Sequence, residues 1–287
     1  MELAITTVVN GLILSSMYIL AALGFAFLFN MLRILNFAHG AIYMIGGYIC
    51  YLFIIGMGFN NWVALVLATL IVAAFGVFLE RFCFRPFVGD FNRIVMICVA
   101  IVVILQTTVT IIIGDRRMAL SPFAEGVLKA GPISVSYERI VTFTIGAVLL
   151  VAILWFVNRT KWGQQMQAIA QDRIGAALQG IDINRISSIA FALGCALAAV
   201  AGCLMGAYLR LSPYMGDSML VKVLIIVMLA GAGSLGGIFI TGLVLGFLYA
   251  VLPVLLPGAP SDAVIIAVIV VLMLIRPMGF FGYEVEI

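Results

Sequence analysis

The sequence predicts an all-α, polytopic bundle of transmembrane helices with about eight to nine spans, and three observations predict it. The first is composition. Of 287 residues, 65% are apolar and 9% charged, whereas a soluble domain keeps about a quarter of its residues charged. Mean hydropathy is +1.28, so the outer surface must meet lipid. The second is the length of the apolar runs. They are continuous, and roughly 20 residues of helix cross about 30 Å of hydrocarbon. Barrel strands would instead alternate over about ten residues. The third is charge placement, since nearly every Asp, Glu, Lys and Arg falls between the runs; Lys222 is the exception.

The runs are Ile5–Phe29, Phe37–Ile55, Trp62–Leu79, Ile94–Ile113, Ile140–Val157, Ile186–Leu209, Val221–Ala232, Ile238–Leu256 and Ala263–Ile275. The first follows Met1-Glu2-Leu3-Ala4, which carries no basic segment, and no small-residue cleavage site comes after the run, so it reads as a retained span. Val221–Ala232 is short and ends in Gly231-Ala232-Gly233-Ser234-Leu235-Gly236-Gly237, which suits either a crossing helix or a half-helix or re-entrant segment. Little length remains for a soluble domain, so residues 1–287 read as one membrane domain. Arg81, Arg85 and Arg93 share one loop, and Arg159, Lys161, Arg173 and Arg185 share another. An even number of spans separates the two loops, and the positive-inside rule puts both on the cytoplasmic side. Arg116, Arg117 and Lys129, in the loop Gly114–Arg139, oppose that assignment.

Several chemistries are excluded. The five cysteines, Cys50, Cys83, Cys98, Cys195 and Cys203, include no CxxC pair and read as buried apolar thiols. No basic cluster with interleaved aromatic residues offers a nucleic-acid surface. Ser, His and carboxylates are nowhere grouped for catalysis, and no metal-ligand set stands out. No G-x-x-x-x-G-K-[ST] occurs, so the chain builds no P-loop for ATP.

The most informative segment is 163–182, GQQMQAIAQDRIGAALQGID. It is too polar to cross the membrane, yet Met166, Ile169, Ala170, Ile174, Ala177, Leu178 and Ile181 recur at helical spacing. Gln165, Gln171, Asp172, Gly175 and Gln179 fall off that stripe, Gly180 suits a helix C-terminus, and Asp182 closes the segment. The pattern predicts one amphipathic helix, and its single basic residue favours docking on a partner over lying in the lipid interface.

Two further features bear on transport. Polar, glycine-containing breaks open two helices, at Asn36-Phe37-Ala38-His39-Gly40 and at Gly233 through Gly236-Gly237. Paired interruptions of this kind mark translocation pathways, which nominates Asn36, Phe37, His39, Gly40, Gly233, Gly236 and Gly237. His39 and Asn36 would either contact the solute or be satisfied by neighbouring backbone. Gly194, Ala198, Gly202 and Gly206 recur every four residues and predict close helix packing, within the chain or at a subunit interface.

Four motifs resemble those of the branched-chain amino acid ABC importer permeases. They are Leu35-Asn36-Phe37-Ala38-His39-Gly40; Ala170-Gln171-Asp172-Arg173 followed by Gly180-Ile181-Asp182-Ile183-Asn184-Arg185; the 231–237 turn; and Arg276-Pro277-Met278-Gly279-Phe280-Phe281-Gly282. Their order holds through almost the whole chain, and the length resembles the shorter of that family's two permeases. The resemblance implies a bacterial inner-membrane subunit that moves hydrophobic amino acids inward by alternating access. It implies as partners a second, longer permease, two cytoplasmic P-loop ATPases that hold ATP and Mg, and a periplasmic solute-binding protein. It also implies that Met166, Ile169, Ala170, Gln171, Asp172, Arg173, Gly180, Ile181 and Asp182 form the ATPase-coupling element. The chain departs from the family at Ile174, where an acidic residue is common, and at Gln164 and Gln167, where Arg is common. Importers of urea or short amides in the same family, an ATP-independent channel and a membrane enzyme are the competing expectations.

Overall fold

The computed structural model describes residues 2–32, 35–130, 133–231, 234–256, 261–275 and 279–280. It is an all-α membrane bundle. Among the described residues, seven helices are long and apolar enough to cross a membrane. In chain order the helices are α1 (Glu2–Leu32), α2 (His39–Tyr51), α3 (Asn61–Phe78), α4 (Phe91–Ile112), α5 (Tyr137–Arg159), α6 (Lys161–Gln171), α7 (Arg173–Leu178), α8 (Ile183–Leu209), α9 (Met215–Ala230), α10 (Leu235–Leu255) and α11 (Ser261–Ile275). The helix of the short seventh run begins at Met215, six residues before the predicted start, because Asp217 and Ser218 are taken into its first turn. At 16 residues it remains shorter than the seven spans, as does α11 at 15.

Helices that are apolar on every side belong in the middle of a bundle, and α1 is such a helix. It touches α5, α8, α9 and α10, while α8 also packs on α2 and α3. Lipid-facing surface falls to the outer faces of α3, α4 and α5, where Leu70, Ile104, Val148 and Trp155 are exposed. α3 runs on through a π-turn (Leu79–Phe84) and a 3₁₀ turn (Arg85–Phe87) before the chain reverses.

The two basic loops lie at one end of the bundle, since Arg85 Nη2 donates to the Asn184 carbonyl at 3.2 Å. We term this the inner end, following the basic-loop assignment. At the opposite end a small hairpin, β1 (Val127–Ala130) with β2 (Ile133–Ser136), interrupts the 114–136 loop. Four-residue strands are too short to stand out in the sequence, which predicts only a loop here. Glu138 at the start of α5 pins the loop, its Oε2 accepting from the Phe123 and Ala124 amides at 2.5 and 3.2 Å. Met118 and Leu211 exchange backbone hydrogen bonds of 3.0 and 2.8 Å, tying this loop to the α8–α9 turn.

Candidate functional site

The inner end carries the loop that the sequence singles out. Thr160 opens α6, its hydroxyl accepting from the Gly163 amide at 3.1 Å, and Gly163 lies against the backbone of Phe156 and Val157. Met166 and Ile169 are buried, with Ala170 half-buried beside them. The expected single helix is broken. Asp172 adopts extended backbone (φ −143°, ψ 105°), and its carboxylate accepts from the Ile174 amide at 3.0 Å, starting α7 afresh. A short side chain that caps its own backbone competes with helix continuation. Gly180, at φ 79°, closes α7. Its amide donates to Ala177 and that of Ile181 to Ala176, the paired bonds of a Schellman motif. Asp182 then caps α8, accepting from the Arg185 amide at 3.1 Å.

The break at Asp172 resets which face is apolar. In α7 it is Ala176 that is buried, whereas Ile174 is 75% exposed and Leu178 82% exposed. The predicted stripe therefore divides. Met166 and Ile169 anchor the loop to the bundle, while Ile174 and Leu178, four residues apart, project as an apolar pair. Gln171, Asp172 and Arg173 are exposed beside that pair, and Ile181 is half-buried.

Beneath the loop lies a clamp that leaves little trace in the sequence. Glu80, 1% exposed, is gripped by Arg85 through Nε at 3.0 Å and Nη2 at 2.6 Å. Ser188 lies 2.8 Å from Glu80 Oε2 and 2.7 Å from Arg85 Nη2. These contacts join the end of α3 to the start of α8, 108 residues apart. Arg185 stacks over Trp162 at 5.4 Å, joining α6 to α8. The only sequence signal was the Glu-x₄-Arg spacing, which is common in loops. Arg85→Ala is expected to cost about 3–5 kcal/mol, because it leaves a buried carboxylate unpaired. Replacing both residues by Leu should restore much of that loss. Thermal unfolding of the solubilised protein reads both.

The break before α2 is packed inside the protomer. Asn36 is 0% and His39 1% exposed. Asn36 Oδ1 accepts from the Ala38 amide at 3.0 Å and lies 3.7 Å from Cys98 Sγ of α4. His39 Nε2 sits 3.1 Å from the Ala21 carbonyl. A carbonyl only accepts, so Nε2 carries the hydrogen. Asn36 Nδ2 and His39 Nδ1 have no hydrogen-bond partner among the described residues. Phe37 is half-buried, and Gly40 meets Gly216 of α9 backbone to backbone. The second break differs. Ser234 caps α10, accepting from the Gly237 amide at 3.0 Å. Gly236 has no neighbour within 4 Å of where a Cβ would stand, and Gly233 lies outside the described residues. Arg276, Pro277, Met278, Phe281 and Gly282 also lie outside them, but the Phe280 amide donates to the Leu229 carbonyl at 2.7 Å.

The small-residue row of α8 makes its contacts inside this chain. A Cβ on Gly194 would stand 2.6 Å from the Gly24 carbonyl oxygen of α1; one on Gly202 would meet the Tyr43 carbonyl of α2. Gly206 faces Leu211, and Ala198 is fully buried.

A bundle of apolar helices with buried polar breaks and a capped loop displaying apolar side chains defines a multi-pass membrane protein. The chain belongs to the family described as branched-chain amino acid transport system, permease component, which matches residues 7–274. Among its relatives is LivH, the high-affinity branched-chain amino acid transport system permease of Escherichia coli K12. It is 32% identical over 96% of this chain and 95% of its own length. BraD, the corresponding permease of Pseudomonas aeruginosa PAO1, is 32% identical over 97% and 96%. Among solved structures, PsaBC from Streptococcus pneumoniae in complex with Fab shares the fold. Its TM-score is 0.54 at 13% identity, covering 96% of this chain and 91% of that one. The chain is thus a multi-pass membrane permease of an ABC transport system.

Proposed function

We propose that this permease carries branched-chain, hydrophobic amino acids inward across a bacterial inner membrane, with a second, longer permease completing the pathway. Two cytoplasmic P-loop ATPases supply the energy, with ATP and Mg bound on them, and a periplasmic protein delivers the solute. The observation that carries this reading is the Ile174–Leu178 pair, an apolar surface on a helix fixed at both ends by capping. A pair four residues apart fits a groove as a helix-in-groove anchor. Movement of the loop that carries it is passed to α5 through Gly163, to α8 through Asp182 and the Arg185–Trp162 stack, and from α8 to α3 through the Glu80–Arg85–Ser188 clamp. These are the helices that would rock between outward and inward states. Asn36, Phe37, His39 and Gly40, with Gly233, Gly236 and Gly237, are proposed to border the pathway, the first group from within the protomer.

The test is affinity purification of the chain from its native membrane, followed by reconstitution into liposomes. Co-purification of two P-loop ATPases and a second permease, with leucine uptake that requires ATP, is the expected result. A chain that purifies alone and passes solute without ATP would overturn the reading in favour of a channel.

A further inference from the structure

Far from the coupling loop, a cavity of about 410 Å³ opens between α1, α2, α8 and α9 toward the end opposite that loop. Its size falls within the roughly 300–1,000 Å³ of small-molecule sites. Among the described residues lining it are three cationic side chains, Arg117, Arg210 and Lys222, and no carboxylate. Asp217, on the same helix as Lys222, instead accepts from Gln106 of α4 at 2.8 Å. Lys222 is positioned over the Tyr249 ring at 4.7 Å, its Nζ 3.4 Å from the Ser218 carbonyl. Met205, Met215 and Met219 also line the cavity, and methionine adapts to differently branched aliphatic groups.

Arg210 has a second distinction. At φ 88° and ψ 146° it occupies backbone space that favours glycine, alone among the described non-glycine residues in having positive φ. Such strain persists only where surrounding structure enforces it. Here the Arg210 amide donates to Gly206, and the Met118–Leu211 bonds hold the next residue. A glycine would fit this backbone better, yet the chain keeps an arginine at the rim of the cavity.

We infer that this cavity is the permease's own solute site, taking an aliphatic amino acid with its carboxylate on Lys222 and Arg210 and its side chain among the methionines. Tyr18 and Tyr43 also line the cavity, and a phenolic oxygen can accept a hydrogen bond from the ammonium group. The inference rests on the importer reading and adds to it a site that does not depend on the solute-binding protein.

The test is uptake of radiolabelled leucine by the complete reconstituted transporter with an unaltered binding protein. Lys222→Met is expected to lower uptake by about tenfold or more, equivalent to roughly one factor of ten in affinity. Lys222→Arg should retain most of it, and both should keep ATPase association and basal ATP hydrolysis. Arg210→Gly guards against misfolding, because it relieves the backbone: its unfolding temperature should rise while leucine uptake falls. Wild-type uptake by Lys222→Met or Arg210→Gly would overturn the inference. So would equal losses in Lys222→Met and Lys222→Arg with the complex intact. A wild-type chain that binds no ATPase would fail the importer reading instead. The same variants are then read in passive leucine counterflow, where unchanged flux in Lys222→Met overturns the site and a loss supports it.

Discussion

Gly202→Leu is expected to abolish recovery of folded protein. The position for a Cβ at Gly202 is already taken by the Tyr43 carbonyl oxygen, and the Gly47 amide nitrogen is 3.3 Å away. Both obstacles are backbone of α2, so no side-chain rotation relieves the clash and the two helices must separate. Overpacking a core typically costs about 1–3 kcal/mol, more where nothing can yield. A protein holds only about 5–15 kcal/mol in total. α2 also carries the buried Asn36–His39 break at its start and meets α9 at Gly40 and Gly216, so moving it disturbs three helices. Val103→Leu, on the lipid-facing side of α4, is the matched control and should leave yield unchanged. The yield of monodisperse protein on size exclusion decides the matter. Equal yields from the two variants would show that α2 and α8 do not pack this closely.

The second large effect is expected at the opposite kind of position. Changing Ile174 and Leu178 together to Asp should leave the fold intact, since both project into water, while abolishing ATP-driven uptake. Burying one such side chain in a groove is worth about 1.5–3 kcal/mol. Losing two corresponds to about 3–6 kcal/mol, or roughly 10²–10⁴-fold in affinity for the ATPase. Charged replacements add a desolvation penalty to that loss. Co-purification of the ATPases should fall with uptake, while thermal unfolding stays at the wild-type value. Met166→Asp should behave differently, because Met166 is buried under the loop. It should lower the unfolding temperature as well as uptake. Uptake unaffected by the Ile174 and Leu178 changes would remove α7 from the coupling role.

These contrasts separate what is local in the sequence from what is not. The membrane class, the all-α architecture and most helix limits were legible from composition and run length. Helix α8, for example, was expected to end at Leu209 and does. Lipid offers the backbone no hydrogen bonds, so a long apolar run has to be helical whatever its neighbours. The cap at Gly180 was legible for a similar reason, because a positive φ is a property of one residue. Segment 163–182 was legible as a polar helical stretch between two spans, but its faces were not. Asp172 turns the chain onto a new axis, and a stripe extrapolated across it puts Ile174 and Met166 on one side when one is exposed and the other buried. Short-range spacing could not reveal that Glu80 meets Ser188, or that Gly40 and Gly216 touch. Nor could it gather residues as distant as Tyr18, Arg117 and Lys222 around one cavity. Composition and run length alone establish a helical membrane protein and where its helices run, through backbone hydrogen bonding and transfer of apolar side chains to lipid. The tertiary structure decided which side chains are displayed, clamped or gathered, because contacts between distant residues depend on how helices cross.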